Sequence, residues 1–406
     1  MINMKKKVLD NGLTVCFFPK KGFTKSYAIL ATNYGAVDSI FTTNEGNFET
    51  PQGVAHYLEH KMFDQEDGTN ALGLFGETGA SPNAFTSQTM TAYYFECTDK
   101  FDKNLEILLK FVGNPYFTPE SVEKEQGIIG QEIKMVEDNP NWMCFVNLFE
   151  AMYHNHPIKE SIIGTVESIA KIDSEMLYLC HKVFYNASNM VLCVAGDEDF
   201  DYIVQTAQRL YPKPSVSLKS RDYRNEPESV VKAEISVKME VSLPIFMLGF
   251  KENEFLGTNM ENEVLASIAL KYLLGKSSEL YSKLYNDDLI NRGFSGEYTK
   301  FPCGGAIIMS GQSKNPELVR EIITNSMKNI KVNEHKLKNI IRLYTGTKIR
   351  MLDNFDDLCI NQVDAFFNDG NVMDFQDALK KITPDIVEKY IKNMVNNISL
   401  SMIKPN

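Results

Sequence analysis

The sequence predicts an α+β protein of two homologous domains, each an antiparallel sheet covered by helices. Three observations predict it. The 406 residues exceed what one hydrophobic core usually supports, which favours two domains of roughly 200 residues each. Strand-like runs alternate with long helical patterns, as in layered α+β folds. A stretch of the second half repeats one of the first.

The elements follow in order. Val8 to Phe18 reads as a hairpin, with a tight turn at Asp10-Asn11-Gly12 between β-formers. Tyr27 to Thr32 is the next strand. Helical patterns run from about Thr50 to Phe63, Phe101 to Val112, Pro119 to Glu137 and Ser174 to Val183, with strands at Thr91 to Phe95 and Met190 to Ala195. The repeat lays Asp173 to Val194 over Thr383 to Ile403, each ending in helix, Asn-rich turn and apolar strand. Pro212-Lys213-Pro214 and the polar run Ser215 to Glu228 read as a linker. The boundary is therefore placed near 220, giving domains 1–220 and 221–406.

A composition of 43% hydrophobic and 23% charged residues is that of an ordinary globular chain without low-complexity bias. The net charge of −11 argues against nucleic acid as the main partner and is compatible with basic or neutral peptides. Lys5-Lys6-Lys7 could open a signal peptide, but Asp10-Asn11-Gly12 interrupts the apolar stretch that would have to follow. No apolar run is long enough to predict a membrane-spanning helix. The seven cysteines are scattered and form no C-x-x-C pair, which reads as reduced thiols in a cytoplasmic protein.

The chemistry concentrates in Gly53-Val54-Ala55-His56-Tyr57-Leu58-Glu59-His60. Residues three and four apart are stacked neighbours on a helix, so His56 and His60 can meet one zinc ion while Glu59 reaches a water beside it. The order inverts the commoner H-E-x-x-H and is the inverzincin signature. Thr50 as N-cap and Pro51 at the first helical position predict that the helix starts there. The motif alone also admits two partly buried histidines and a surface glutamate.

A catalytic zinc site needs a third protein ligand and one open position. In the helix predicted over Pro119 to Glu137, the stripe Val122, Glu125, Ile129, Glu132, Val136 has core spacing, yet two members are carboxylates. Charge on a buried stripe is costly unless paired or metal-bound. The alternative is a rotated stripe with both glutamates in water. A motif helix short of one ligand favours the metal.

These residues resemble the pitrilysin and insulysin family, and within it the bacterial branch similar to mitochondrial processing peptidase. The resemblance covers Asp10 to Leu13, His56 to His60, Gly79 to Thr86, the pair Glu125 and Glu132, and Tyr185 to Asp197, hence most of the first half. It implies Glu132 as the third zinc ligand and Glu125 as a residue holding a ligand in place. It implies two similar α+β domains per half-molecule, with two halves closing as a clam-shell around a chamber. Asn83-Ala84-Phe85-Thr86 resembles the family's edge strand beside the zinc, on which an extended peptide adds as a further strand; Asn83, with Ala84 and Phe85, would hold the substrate. Asn83 also reads as a polar turn residue after Pro82.

One family element is missing. The region Ser278 to Gly293 lacks the Arg-then-Tyr order that grips the substrate carbonyl; Arg292 and Tyr298 stand nearby at the wrong spacing, and read as a solvent Arg and a core Tyr. The resemblance therefore implies a homologous partner subunit that supplies the pair. The expected activity is zinc-dependent endopeptidase, with Glu59 as general base and a non-catalytic peptide-binding or assembly subunit as the alternative. Gly275-Lys276-Ser277 is no phosphate loop, since Leu270 stands where the first Gly is needed. His154 and His156 read as a polar turn before Pro157, and Trp142 and Tyr93-Tyr94-Phe95 as core or pocket walls.

Overall fold

A computed structural model describes residues 3–213, 216–252 and 257–406. Their contacts divide the chain into two compact units, one of residues 1–133, 161–223 and 351–372, the other of 134–160, 224–350 and 373–406. The chain thus passes from the first unit to the second at 223/224, and each unit also takes segments from the other side of that point.

The first unit is built on β1 (Lys5–Val8), β2 (Thr14–Pro19), β3 (Ser26–Thr32), β4 (Ile40–Thr43), β5 (Asn47–Glu49), β6 (Ser81–Thr86), β7 (Thr91–Cys97), β8 (Met190–Gly196) and β9 (Leu218–Arg221). β1 and β2 form the expected hairpin, with Gly12 in the left-handed region at φ 92°. Six strands make one sheet in the order β1-β2-β8-β3-β7-β6, and β5-β4-β9 make a small second one. Every residue of β3 and β8 is buried, as expected of central strands covered by helices.

The second unit holds β10 (Glu234–Met239), β11 (Ile245–Glu252), β12 (Ser295–Phe301), β13 (Gly304–Gln312) and β14 (Ile398–Pro405), in the order β10-β14-β11-β13-β12. Strand for strand this reproduces β2-β8-β3-β7-β6 of the first unit, with the same senses. β2 runs parallel to β8 and β10 to β14, and all remaining pairs are antiparallel. The internal repeat read from the helix, turn and strand at 383–403 therefore extends over a whole sheet. The sheets are mixed rather than antiparallel throughout, because β8 and β14 each return after a long helical crossover, a connection that permits a parallel neighbour.

Two expectations are corrected. The polar run after Pro212 is not a free linker: Leu218–Arg221 pairs with β4, and Arg221 and Tyr223 both bind the buried carboxylate of Asp38. Pro214 and Ser215, within the expected linker, lie outside the described residues. The motif helix begins at Val54 and not at Thr50, since Thr50 N and Oγ1 both donate to Ser39 O and are held out of a helix. Gly53 takes the capping position at φ 92°, where a Cβ would stand 2.8 Å from Ile163 O. Both the left-handed backbone and the close approach require glycine there.

The motif helix, Val54–Lys61, has only eight residues. A helix that short is marginal alone. Packing holds it: Val54, Tyr57 and Leu58 are buried, each large apolar side chain contributing roughly 1.5–3 kcal/mol. Pro119–Glu137 is helical over the range predicted.

Candidate metal centre

Helical spacing brings the rings of His56 and His60 to 4.6 Å between centroids. The same helix grips the one that carries the glutamates. Tyr57 Oη donates to Val122 O, and Lys61 Nζ donates to Ser121 O at 3.3 Å while pairing with Asp64. Tyr57 and Lys61 are one turn apart, so together they clamp the first turn of the glutamate helix. That clamp sets the register at which Glu125 and Glu132 face the histidines.

Glu132 comes within 3.7 Å of His56 Nε2 through Oε1 and within 3.6 Å of His60 Nε2 through Oε2. These separations are beyond hydrogen bonding for side-chain groups. They lie near the edge of a tetrahedron with bonds of about 2.0–2.1 Å, roughly 3.4 Å. One donor atom from each of His56, His60 and Glu132 lies within 4.8 Å of the others, the one such grouping among the described residues. Two imidazoles and a carboxylate are the donor set of a catalytic zinc with one position left open. By spacing and by chemistry these residues fit the ion.

Glu125 does not face the same point. Its Oε1 accepts from His60 Nδ1 at 3.1 Å, and its side chain is 16% exposed. This bond fixes the ring and turns Nε2 toward Glu132. His56 has no such support, since its Nδ1 is buried without a hydrogen-bond partner. Burial, reinforced by the neighbouring His60, pulls His56 down to about 3, so its ring is neutral and free to ligate at pH 7. His60 is raised instead: burial opposes its charge, but the bond to Glu125 and the charges of Glu132, Glu125 and Glu59 outweigh it.

Replacing Glu125 by glutamine keeps the shape while removing the carboxylate charge beside His60. The expected result is a 10- to 100-fold weaker zinc affinity, the usual cost of a lost supporting carboxylate, measured by competition with a chromogenic chelator.

Glu59 lies between the ligands on the motif helix and is largely removed from water. Burial raises its carboxyl above the usual range, against the opposing hydrogen bond from Thr86 and the charge of His60. An upward shift is the direction that favours a carboxylate as a general base. Oε2 accepts from Thr86 Oγ1 at 2.6 Å. Thr86 is the residue that sequence reasoning missed. The resemblance places it in the edge strand beside the zinc but gives it no role, because strand pairing and not spacing brings it to Glu59.

Among the described residues β6, with Asn83, Ala84 and Phe85, pairs only with β7 and forms the edge of its sheet. Asn83 is exposed, and its Oδ1 accepts from Ala84 N at 2.9 Å. Of the other sequence candidates, Arg292 is exposed and donates to Tyr285 Oη at 3.3 Å, while Tyr298 Oη donates to Glu252 at 2.6 Å. His156 is buried and caps the turn Pro157–Lys159, with Nδ1 accepting from Ile158 N and Nε2 bonded to Pro302 O, so it is a packed structural residue and not a polar turn in water.

The second unit differs at the counterpart of the motif helix. Asn259–Leu274, between β11 and β12, carries no histidine. Its Glu263 pairs at 3.2 Å with Lys348 of Glu334–Met351, the second helix after β13 as the glutamate helix is the second after β7.

Comparison with known proteins agrees with this asymmetry. The family described as Insulinase (Peptidase family M16) matches residues 47–166, and that described as Peptidase M16 inactive domain matches 171–343. The chain is 37% identical to the uncharacterized zinc protease YmfH of Bacillus subtilis, over 98% of this chain and 95% of that one. It is 32% identical to the beta subunit of mitochondrial-processing peptidase from Caenorhabditis elegans, over 40% of this chain and 36% of that one. A solved M16-like protein from Alicyclobacillus acidocaldarius superposes with a TM-score of 0.95 at 32% identity, covering 100% of this chain and 99% of that one.

Proposed function

We propose, from the premise that this chain belongs to the insulinase (peptidase M16) family, that it is the zinc-bearing subunit of an endopeptidase for small or unfolded peptides. The observation that carries the reading is the convergence of His56, His60 and Glu132 with Glu59 alongside. His56, His60 and Glu132 would hold zinc, and Glu125 would aim His60. When bound, zinc supplies Lewis acidity and makes a water molecule acidic enough to lose a proton near neutral pH. Glu59 takes that proton and returns it to the departing amine. Asn83, Ala84 and Phe85 on the free edge of β6 would seat the peptide backbone as an added strand.

A homologous partner subunit is part of the proposal, closing a chamber and supplying the Arg and Tyr that grip the substrate carbonyl. Arg292 is engaged with Tyr285 and Tyr298 with Glu252, so neither supports that role in this chain. The proposed domains are 1–220, with the zinc site, and 221–406. The unpaired cysteines support a reducing compartment such as the cytoplasm. No helix among the described residues is long and apolar enough to cross a membrane.

The test is a fluorogenic peptide library assayed with the chain alone and with candidate homologous subunits, each with zinc and with chelator. Chelator-sensitive cleavage that needs a partner is the expected result. Cleavage by the chain alone removes the partner from the proposal. A zinc-loaded pair that cuts nothing favours the alternative of a peptide-binding or assembly subunit.

A further inference from the structure

The two carboxylate oxygens of Glu59 are not equivalent in this fold. Oε2 accepts a hydrogen bond from Thr86 Oγ1 at 2.6 Å. A hydroxyl has one proton to donate, and that of Thr86 goes to Glu59. Its other hydroxyl neighbour, Thr91 Oγ1, lies 3.4 Å away and gives its own proton to Tyr34 O at 3.0 Å. Thr91 is fully buried and stands opposite Thr86 in the β6–β7 register, so the pair is anchored from below. The branched side chain of Thr86 is also stiff about χ1.

Thr86 is the last residue of β6, three beyond Asn83 on the sheet edge. One strand therefore carries both the edge available to an extended peptide and the hydroxyl that fixes the carboxylate of the motif helix. From this juxtaposition we infer that Thr86 is a positioning residue. It ties down Oε2, leaves Oε1 as the oxygen available to take the proton from water, and couples the seating of a peptide on β6 to the aim of Glu59. This rests on the zinc-peptidase reading above, in which Glu59 is the base.

Thr86→Val removes the hydroxyl and keeps the branched shape, and Thr86→Ser restores the hydroxyl. Three readouts separate the roles: bound zinc per chain, the calorimetric affinity of the zinc-loaded protein for a peptide hydroxamate, and kcat and KM on a peptide cleaved with the partner subunit present. Thr86→Val is expected to keep zinc and KM while kcat and hydroxamate affinity each fall about tenfold to a hundredfold, the worth of a hydrogen bond to a charged group. Thr86→Ser should return within about threefold of wild type. In a Glu59→Ala background, Thr86→Val should change hydroxamate affinity no further, because its effect passes through Glu59.

Unchanged kcat and hydroxamate affinity in a zinc-replete Thr86→Val protein would overturn the inference and leave the peptidase reading standing. If the wild type cuts no peptide even with a homologous partner subunit present, that reading fails, and the hydroxamate cycle still decides Thr86: coupling to residue 59 supports it and additivity refutes it. Thr86→Ala replaces valine in the cycle should zinc content show that valine disturbs the fold. A wild-type chain that binds neither zinc nor hydroxamate overturns both.

Discussion

Replacing His60 by alanine should remove bound zinc and peptide hydrolysis together. His60 supplies one of three protein ligands, and total zinc binding energies of about 10–16 kcal/mol for four-ligand sites imply roughly 3 kcal/mol for each, more than a hundredfold in affinity. The loss reaches further than one ligand. Glu125, 16% exposed and bonded to His60, would be left without its donor, a costly state for a carboxylate largely shielded from water. The helix itself should survive, because Tyr57, Leu58 and Lys61 hold it independently of the histidines. Metal analysis of the purified variant, with circular dichroism to follow the fold, tests this. A His60→Ala protein that retains one zinc per chain through dialysis would remove His60 from the ligand set.

Glu59→Gln should separate the two properties that His60→Ala removes together. Glutamine has the same shape, and its carbonyl oxygen can still accept from Thr86, so the site keeps its packing. It cannot take a proton. General-base catalysis of this kind contributes about a hundred- to ten-thousand-fold, and kcat is expected to fall by that factor with zinc content unchanged. Steady-state cleavage of a fluorogenic peptide by the zinc-loaded variant, with the partner subunit present, is the measurement. Wild-type rates with zinc in place would exclude Glu59 as the base.

The sequence made much of this site legible, for physical reasons. His56 and His60 are visible because one helical turn converts a spacing of four into a shared face. Glu125 and Glu132 are visible because charge is conspicuous on an apolar stripe, and the helix that carries them has the predicted ends. The start of the motif helix was misleading. Thr50-Pro51 has the chemistry of a cap, but Ser39 O takes the Thr50 donors and Gly53 makes the turn instead. Such competition is decided by a distant carbonyl that no local rule contains. The polar run around Leu218–Arg221 misled for a related reason: its composition suits solvent, while the buried Asp38 recruits it to the sheet. Thr86 was legible as part of the edge strand but its bond to Glu59 was not, because they meet across a strand–helix contact between residues 27 apart.

The repeated sheet has a consequence for what the metal does to the molecule. One architecture occurs twice, once framing two imidazoles and a carboxylate, and once framing the ion pair of Glu263 and Lys348. The second copy joins its helices through contacts that include a lysine–glutamate pair and no histidine on the counterpart helix, so the scaffold has no need of an ion to assemble. Zinc held in the first copy would then be a removable part, added to a finished frame and not a rivet in it. Chelation should act on such a protein as a switch, leaving it folded and ready to be loaded again.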